Sequence, residues 1–149
     1  MLIKLTVDQV ANLWLSGLKA SIMEAMPAHV RRDEQTANNV LTRLMAEMAL
    51  CWAIVEEDIV WGFVVTSLST DYLSNTRNLI LHAVYGFEEI PPQILVDAYN
   101  TINKYASAKD CTNIFVHSNS SIVLKTARKY GGSVNSFITI PVIGGAANG

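Results

Sequence analysis

The sequence predicts an α/β (α+β) fold, a single mixed and mostly antiparallel central sheet with helices on both faces. Three observations carry this. The first 48 residues repeat apolar side chains every three or four positions, which is a helical period. From residue 49 to residue 87 the chain turns β-branched and aromatic and the period drops toward two. After that, helix and strand signals alternate to the end of the chain. The 149 residues suit one domain, 1–149, with room for one sizeable core.

The elements follow in order. A short strand opens the chain. Val7, Val10, Ala11, Trp14, Leu18 and Ile22 then share one helical face, with Thr6 or Asp8 at its start and Pro27 past its end. "AHVRRDE" is a charged connector. Ala37, Val40, Leu41, Leu44, Met45 and Met48 stripe a second helix. "LCWAIVE" and "IVWGFVVTSL" are strands joined at Glu57 and Asp58, the position of a hairpin turn. "RNLILHAVYGF" is a nearly continuous apolar run, as in a strand covered on both faces. Pro91 and Pro92 open the next helix, because proline is tolerated in a first turn. "TNIFVH" is a short strand. Asn119 or Ser120 caps a helix that runs to Lys129, and Gly131 and Gly132 stop it. "SVNSFITIPV" reads as the last strand, and residues 143–149 as a flexible or partner-held tail. Trp52, Ile54, Phe63, Val65, Leu79, Leu81 and Phe115 are the expected sheet core.

Composition narrows the function. Hydrophobic residues make up 50% and charged residues 16%, more apolar and less charged than an average domain. That excess favours a protein partner or self-association. The net charge of −2 gives no basic surface for nucleic acid. No apolar run is long enough for a membrane span and no signal peptide is evident, so a soluble, cytoplasmic protein is expected. Cys51 and Cys111 read as small packed hydrophobes, and no metal-ligand spacing is present. Ser120 and Ser121 lack a nucleophile elbow. Glu56 and Glu57 read as solvated turn residues, and His82, inside an apolar run, as a packed histidine.

The element order, and above all the phrase from Ala98 to Pro141, resembles the GCN5-related N-acetyltransferase (GNAT) family. More narrowly, "CWAIVEEDIVWGFVVTSL" and "LILHAVYG" resemble the acetyltransferase-like proteins of tailed bacteriophages. The family resemblance implies acetyl-CoA lying where the fourth and fifth strands splay. Leu81, Ala83, Val84 and Tyr85 would then run along the pantetheine arm, Asn119 would contact it, and "GFEEIPPQI" would be the pyrophosphate loop. His117 is the candidate general base and Tyr130 the candidate acid. The sequence departs from the family pattern at several points. Gly86 is the loop's only glycine, Pro91 and Pro92 have no N–H, and Glu88 and Glu89 are negative. No Lys or Arg lies between Arg77 and Lys104. The position four residues before Gly131, where many family members place a tyrosine, is Ala127.

Two functions follow from this mixture. The departures favour a catalytically inactive member of the fold that binds no cofactor and serves as a structural or assembly subunit. Its setting would be a bacteriophage virion, as a tail or head-tail component, and the host cytoplasm. The alternative is an acetyl-CoA-dependent N-acetyltransferase with a degenerate cofactor loop. The helical region 13–48, a wide apolar stripe beside the charged Arg31–Glu34 edge, is the expected protein–protein contact.

Overall fold

The structure is a computed structural model that describes residues 1–118 and 120–144. β1 (Leu2–Lys4) is followed by α1 (Val7–Leu13), which starts at a reciprocal cap. The Gln9 N–H donates to Thr6 Oγ1 (3.2 Å) and the Thr6 N–H donates to Gln9 Oε1 (2.8 Å), satisfying two donors that a helix start leaves open. The single long helix expected here is interrupted. A π-helical turn (Trp14–Leu18) precedes α2 (Lys19–Ala25), and Gly17 sits inside the turn at φ 141°, a conformation that favours glycine. The wide turn keeps Val10, Trp14, Leu18 and Ile22 on one buried face. Met26 is extended, as the residue before Pro27 should be, and the helix ends there.

α3 (Glu34–Met45) starts where Asp33 accepts a hydrogen bond from the Thr36 N–H at 2.9 Å. β2 (Leu50–Glu56) and β3 (Ile59–Asp71) form the predicted hairpin. Glu57 and Asp58 both take positive φ, as a two-residue turn matched to strand twist requires. β4 (Thr76–Gly86), α4 (Pro92–Ala108), β5 (Asn113–Val116) and α5 (Ser121–Lys129) complete the described elements.

The sheet order is β1-β2-β3-β4-β5, antiparallel throughout except for the parallel pair β4–β5. One core lies under α1–α3, where Trp14, Leu18 and Ile22 meet Cys51, Phe63, Val65 and Ala83. The other lies under α4, where Ile94, Leu95, Ala98 and Ile102 meet Trp52, Ile54, Val64, Leu79 and Leu81. Inside this second core Trp52 Nε1 donates to Thr66 Oγ1 at 2.9 Å, which lets a buried hydroxyl and a buried indole satisfy each other. Burial pushes the Cys51 thiol pKa up to about 12, so this cysteine packs and does not react.

Two sequence expectations fail. Among the described residues no strand follows α5. Residues 133–142 form no strand, and Val134, Phe137, Ile138, Ile140 and Val142 are all exposed. Alternation alone does not make a strand, since a regular ladder of hydrogen bonds is also required. Phe115 was expected in the core but is 44% exposed. Its neighbours Ile114 and Val116 turn toward α4, so Phe115 turns to the opposite face, where α2 packs on β3 and β4 and leaves β5 bare. The glycine stop behaves as expected. The Gly132 N–H donates to the Ala127 carbonyl (2.9 Å), the Gly131 N–H donates to the Arg128 carbonyl (3.1 Å), and Gly131 takes φ 84°, a Schellman ending. Of the expected tail, residues 145–149 lie outside the described residues.

Candidate acyl-donor site at the β4–β5 splay

The site begins with a change of parity in β4. The Thr112 N–H donates to the Arg77 carbonyl (2.7 Å) and the His117 N–H to the Leu81 carbonyl (3.0 Å). Up to Leu81, therefore, odd-numbered residues of β4 aim their backbone polar groups at β5. At the other end of the strand the Phe87 N–H donates to the Trp61 carbonyl (3.0 Å), so odd-numbered residues there aim at β3. The switch occurs at a bulge. Thr66 pairs with Leu81 but Val65 pairs with Ala83, which leaves His82 as the extra residue.

The consequence falls on Val84. Its N–H and C=O point to the side that β5 would occupy, but β5 ends at Val116, opposite Leu81. From Leu81 onward the two strands part, and the Val84 backbone is left to pair with something else. Below it, between the sheet, α4 and α5, is an open cavity of about 800 Å³. Leu81, Val84 and Val116 line it from the sheet, Ala98 and Tyr99 from α4, and Val123, Ala127 and Tyr130 from α5. Asn103, Ser107, Asp110, Asn113 and Thr126 add polar groups to an otherwise apolar wall, and such a slot beside the open Val84 backbone suits a chain that itself carries amides.

The other face of the splay gathers histidines. The chain has three, and all three converge. The His82 ring lies 6.0 Å from that of His117, and the His29 ring lies 6.3 Å from His117, centroid to centroid. Phe137 closes the group, 5.3 Å from His29 and 6.4 Å from His117. His82 Nε2 is hydrogen-bonded to Ser67 Oγ at 2.6 Å. Burial, and secondarily the charge of His117, hold the His82 pKa below its ordinary value. His82 is thus an anchored imidazole whose charged form is disfavoured, beside the half-buried His117. The three do not make a metal centre, since no group of metal-binding side chains occurs among the described residues.

Of the residues singled out in the sequence, Leu81, Val84 and Tyr130 line the cavity and His117 stands at the splay. Ala83 and Tyr85 lie on β4 too, but by the parity argument their backbones pair with Phe63 and Val65 of β3 and not with a ligand. Asn119 lies outside the described residues. Tyr130 is at the far end of α5, whose nine residues span roughly 13 Å from the splay end. There it stacks on Tyr99 at 4.0 Å and 19°, a packing contact against α4. Sequence reasoning missed His29, Ser67 and Phe137 as neighbours of the site. No local pattern joins positions this far apart.

The loop after β4 offers little to a phosphate. Pro91 caps α4 without a side-chain hydrogen bond, and Pro92 has no N–H. The Ile94 and Leu95 N–H groups both donate back to the Pro91 carbonyl, at 3.0 and 3.2 Å. Only the Gln93 N–H of that first turn is left without a backbone partner. Glu88 and Glu89 are exposed just ahead of it.

The sequence matches no protein-family model, and no curated protein matches it. Solved structures do match. A probable acetyltransferase superposes with a TM-score of 0.69 at 18% identity, over 95% of this chain and 97% of that one. An aminoglycoside acetyltransferase from an uncultured soil metagenomic sample gives 0.67 at 16% identity, over 95% and 97%. A predicted acetyltransferase from Clostridium acetobutylicum, solved with acetyl-CoA, gives 0.67 at 12% identity, over 98% of each chain. The chain has the fold of the GNAT acetyltransferases, a five-stranded, mostly antiparallel sheet between helices. Among the described residues no helix is long and apolar enough to cross a membrane.

Proposed function

We propose that the protein is an N-acetyltransferase that draws an acetyl group from a pantetheine thioester, acetyl-CoA being the donor in one structural neighbour, and passes it to an amine. The observation that carries this reading is the bulge at His82, which frees the Val84 backbone beside an apolar slot. An arm of alternating methylene and amide groups is complementary to both. In the reaction the amine nitrogen attacks the thioester carbonyl carbon, the C–N bond forms and the C–S bond breaks. The nitrogen loses a proton and the departing sulfur gains one. His117, across the splay from the slot, would take the proton from an amine that meets the thioester at the gap between the strands. His82, tied to Ser67, fixes the wall against which the His117 ring rests.

The test is thiol release from acetyl-CoA or acetyl-pantetheine over a panel of primary amines. His117→Gln is expected to lower the rate by about 10²- to 10⁴-fold with an unchanged melting temperature. A variant as active as the parent removes His117 from the chemistry. No transfer with any donor or amine removes the transferase reading.

A second reading is favoured by one observation, the apolar run from Val134 to Ile143, which is exposed. In it the protein is a non-catalytic assembly subunit, in a phage particle or as a homo-oligomer. The apolar excess of region 13–48 agrees in part, since Leu15 is 88% and Met48 63% exposed. Light scattering over a concentration series tests this, with a strict monomer counting against self-association.

A further inference from the structure

The splay and the loop beside it ask for different ligands. The slot under Val84 is mainly apolar, with the Val84 backbone open beside it. The entrance at the start of α4 is acidic. Glu88 and Glu89 stand at the head of a helix whose open donors are reduced by Pro91 and Pro92, which have no N–H, and by the Ile94 bond to the Pro91 carbonyl. An unblocked helix start attracts an anion through its four open N–H groups and its positive dipole end. Here one N–H is left and two carboxylates oppose it. No lysine or arginine occurs from residue 78 to residue 103 to restore the balance. The nucleotide diphosphate of coenzyme A, with its several negative charges, therefore does not fit the residues present, whereas its pantetheine arm does.

From this disagreement we infer that the donor is recognised through its pantetheine arm alone. The nucleotide contributes no affinity, so an acyl thioester of pantetheine or another weakly charged pantetheine carrier serves as well as the coenzyme A thioester. The inference rests on the transferase reading and specifies its donor class. The arm lies along Val84, the thioester carbonyl reaches toward His117, and the head of the donor emerges past Gly86 into solvent beside the two glutamates.

The test is calorimetry with the full chain and three probes: pantetheine, 4′-phosphopantetheine and coenzyme A. The parent protein is expected to bind pantetheine and coenzyme A within about three-fold of each other. Coenzyme A binding should hold or strengthen as salt is raised, because salt screens a repulsion. The exposed pair Glu88→Lys/Glu89→Lys should tighten coenzyme A by tenfold or more and leave pantetheine unchanged. Coenzyme A binding tenfold tighter than pantetheine in the parent, and weakening with salt, would overturn the donor inference while leaving the transferase reading intact. Binding of neither pantetheine nor coenzyme A would remove the arm site, and both proposals with it.

Discussion

α4 and α5 lie on the same side of the sheet, yet they are held in different ways. α4 buries Ile94, Leu95, Ala98, Ile102 and Ala106 against the strands. α5 is also amphipathic but has no fully buried residue. It leans on α4 through the Tyr99–Tyr130 stack and on a glycine ending that satisfies its last carbonyls. The difference shows where rigidity stops. A well-packed frame extends from β1 through α4, and the cavity opens between that frame and a lightly attached helix. Such a helix is the natural element to adjust around an entering ligand, since local openings draw on the least buried contacts.

Truncation on either side of this boundary tests the contrast. Leu79, at 0% exposure in the α4 core, should cost about 2–5 kcal/mol on change to alanine. Val123→Ala, on the half-buried face of α5, should cost under about 1 kcal/mol, because the cavity already sits beside it. Denaturant unfolding of both variants measures the pair, and equal losses would erase the distinction. An effect between these two is expected from Trp52→Phe. It leaves the Thr66 hydroxyl buried without its partner, and should cost about 1–3 kcal/mol. An unchanged midpoint would show that the hydroxyl oxygen has found another donor.

The smallest effect depends on pH and lies on the histidine side of the splay. The folded pKa of His82 is below its ordinary value of 6.5, so the native state takes up this proton later than the unfolded chain does. The resulting stability is fully present above about pH 6.5 and is lost as pH falls through the lower folded value. His82→Asn should flatten that part of the stability profile between pH 7 and pH 5. A profile of the same slope in parent and variant would place the titration elsewhere.

Much of this frame was legible in the sequence because it follows from period. The stripe of Trp14, Leu18 and Ile22, the Glu57–Asp58 turn, the proline start of α4 and the glycine stop of α5 each have a local signature. What was not legible depends on partners distant in the chain. The extra residue at His82 exists only relative to Val65 and Thr66, so a run such as "LILHAVYG" looks uniform while its backbone changes sides within it. Phe115 looked like core because its strand is apolar on both faces, but only one face of β5 is covered. The residues 133–142 carry a strand pattern but form no strand. Gly17 breaks a stripe whose i, i+4 spacing continues across it, so the side chains conceal the break in the backbone. The acidic loop, by contrast, was fully readable, because charge and missing N–H groups are properties of composition.

The central claim is that the Val84 backbone, freed by the bulge, holds a pantetheine arm. Amide resonances recorded while pantetheine is titrated into the labelled protein test it most directly. The account predicts that Val84 and His117 shift progressively with ligand, with the α4 core residues Ile102 and Ala106 unmoved. Binding that moves other residues and leaves Val84 in place would contradict it.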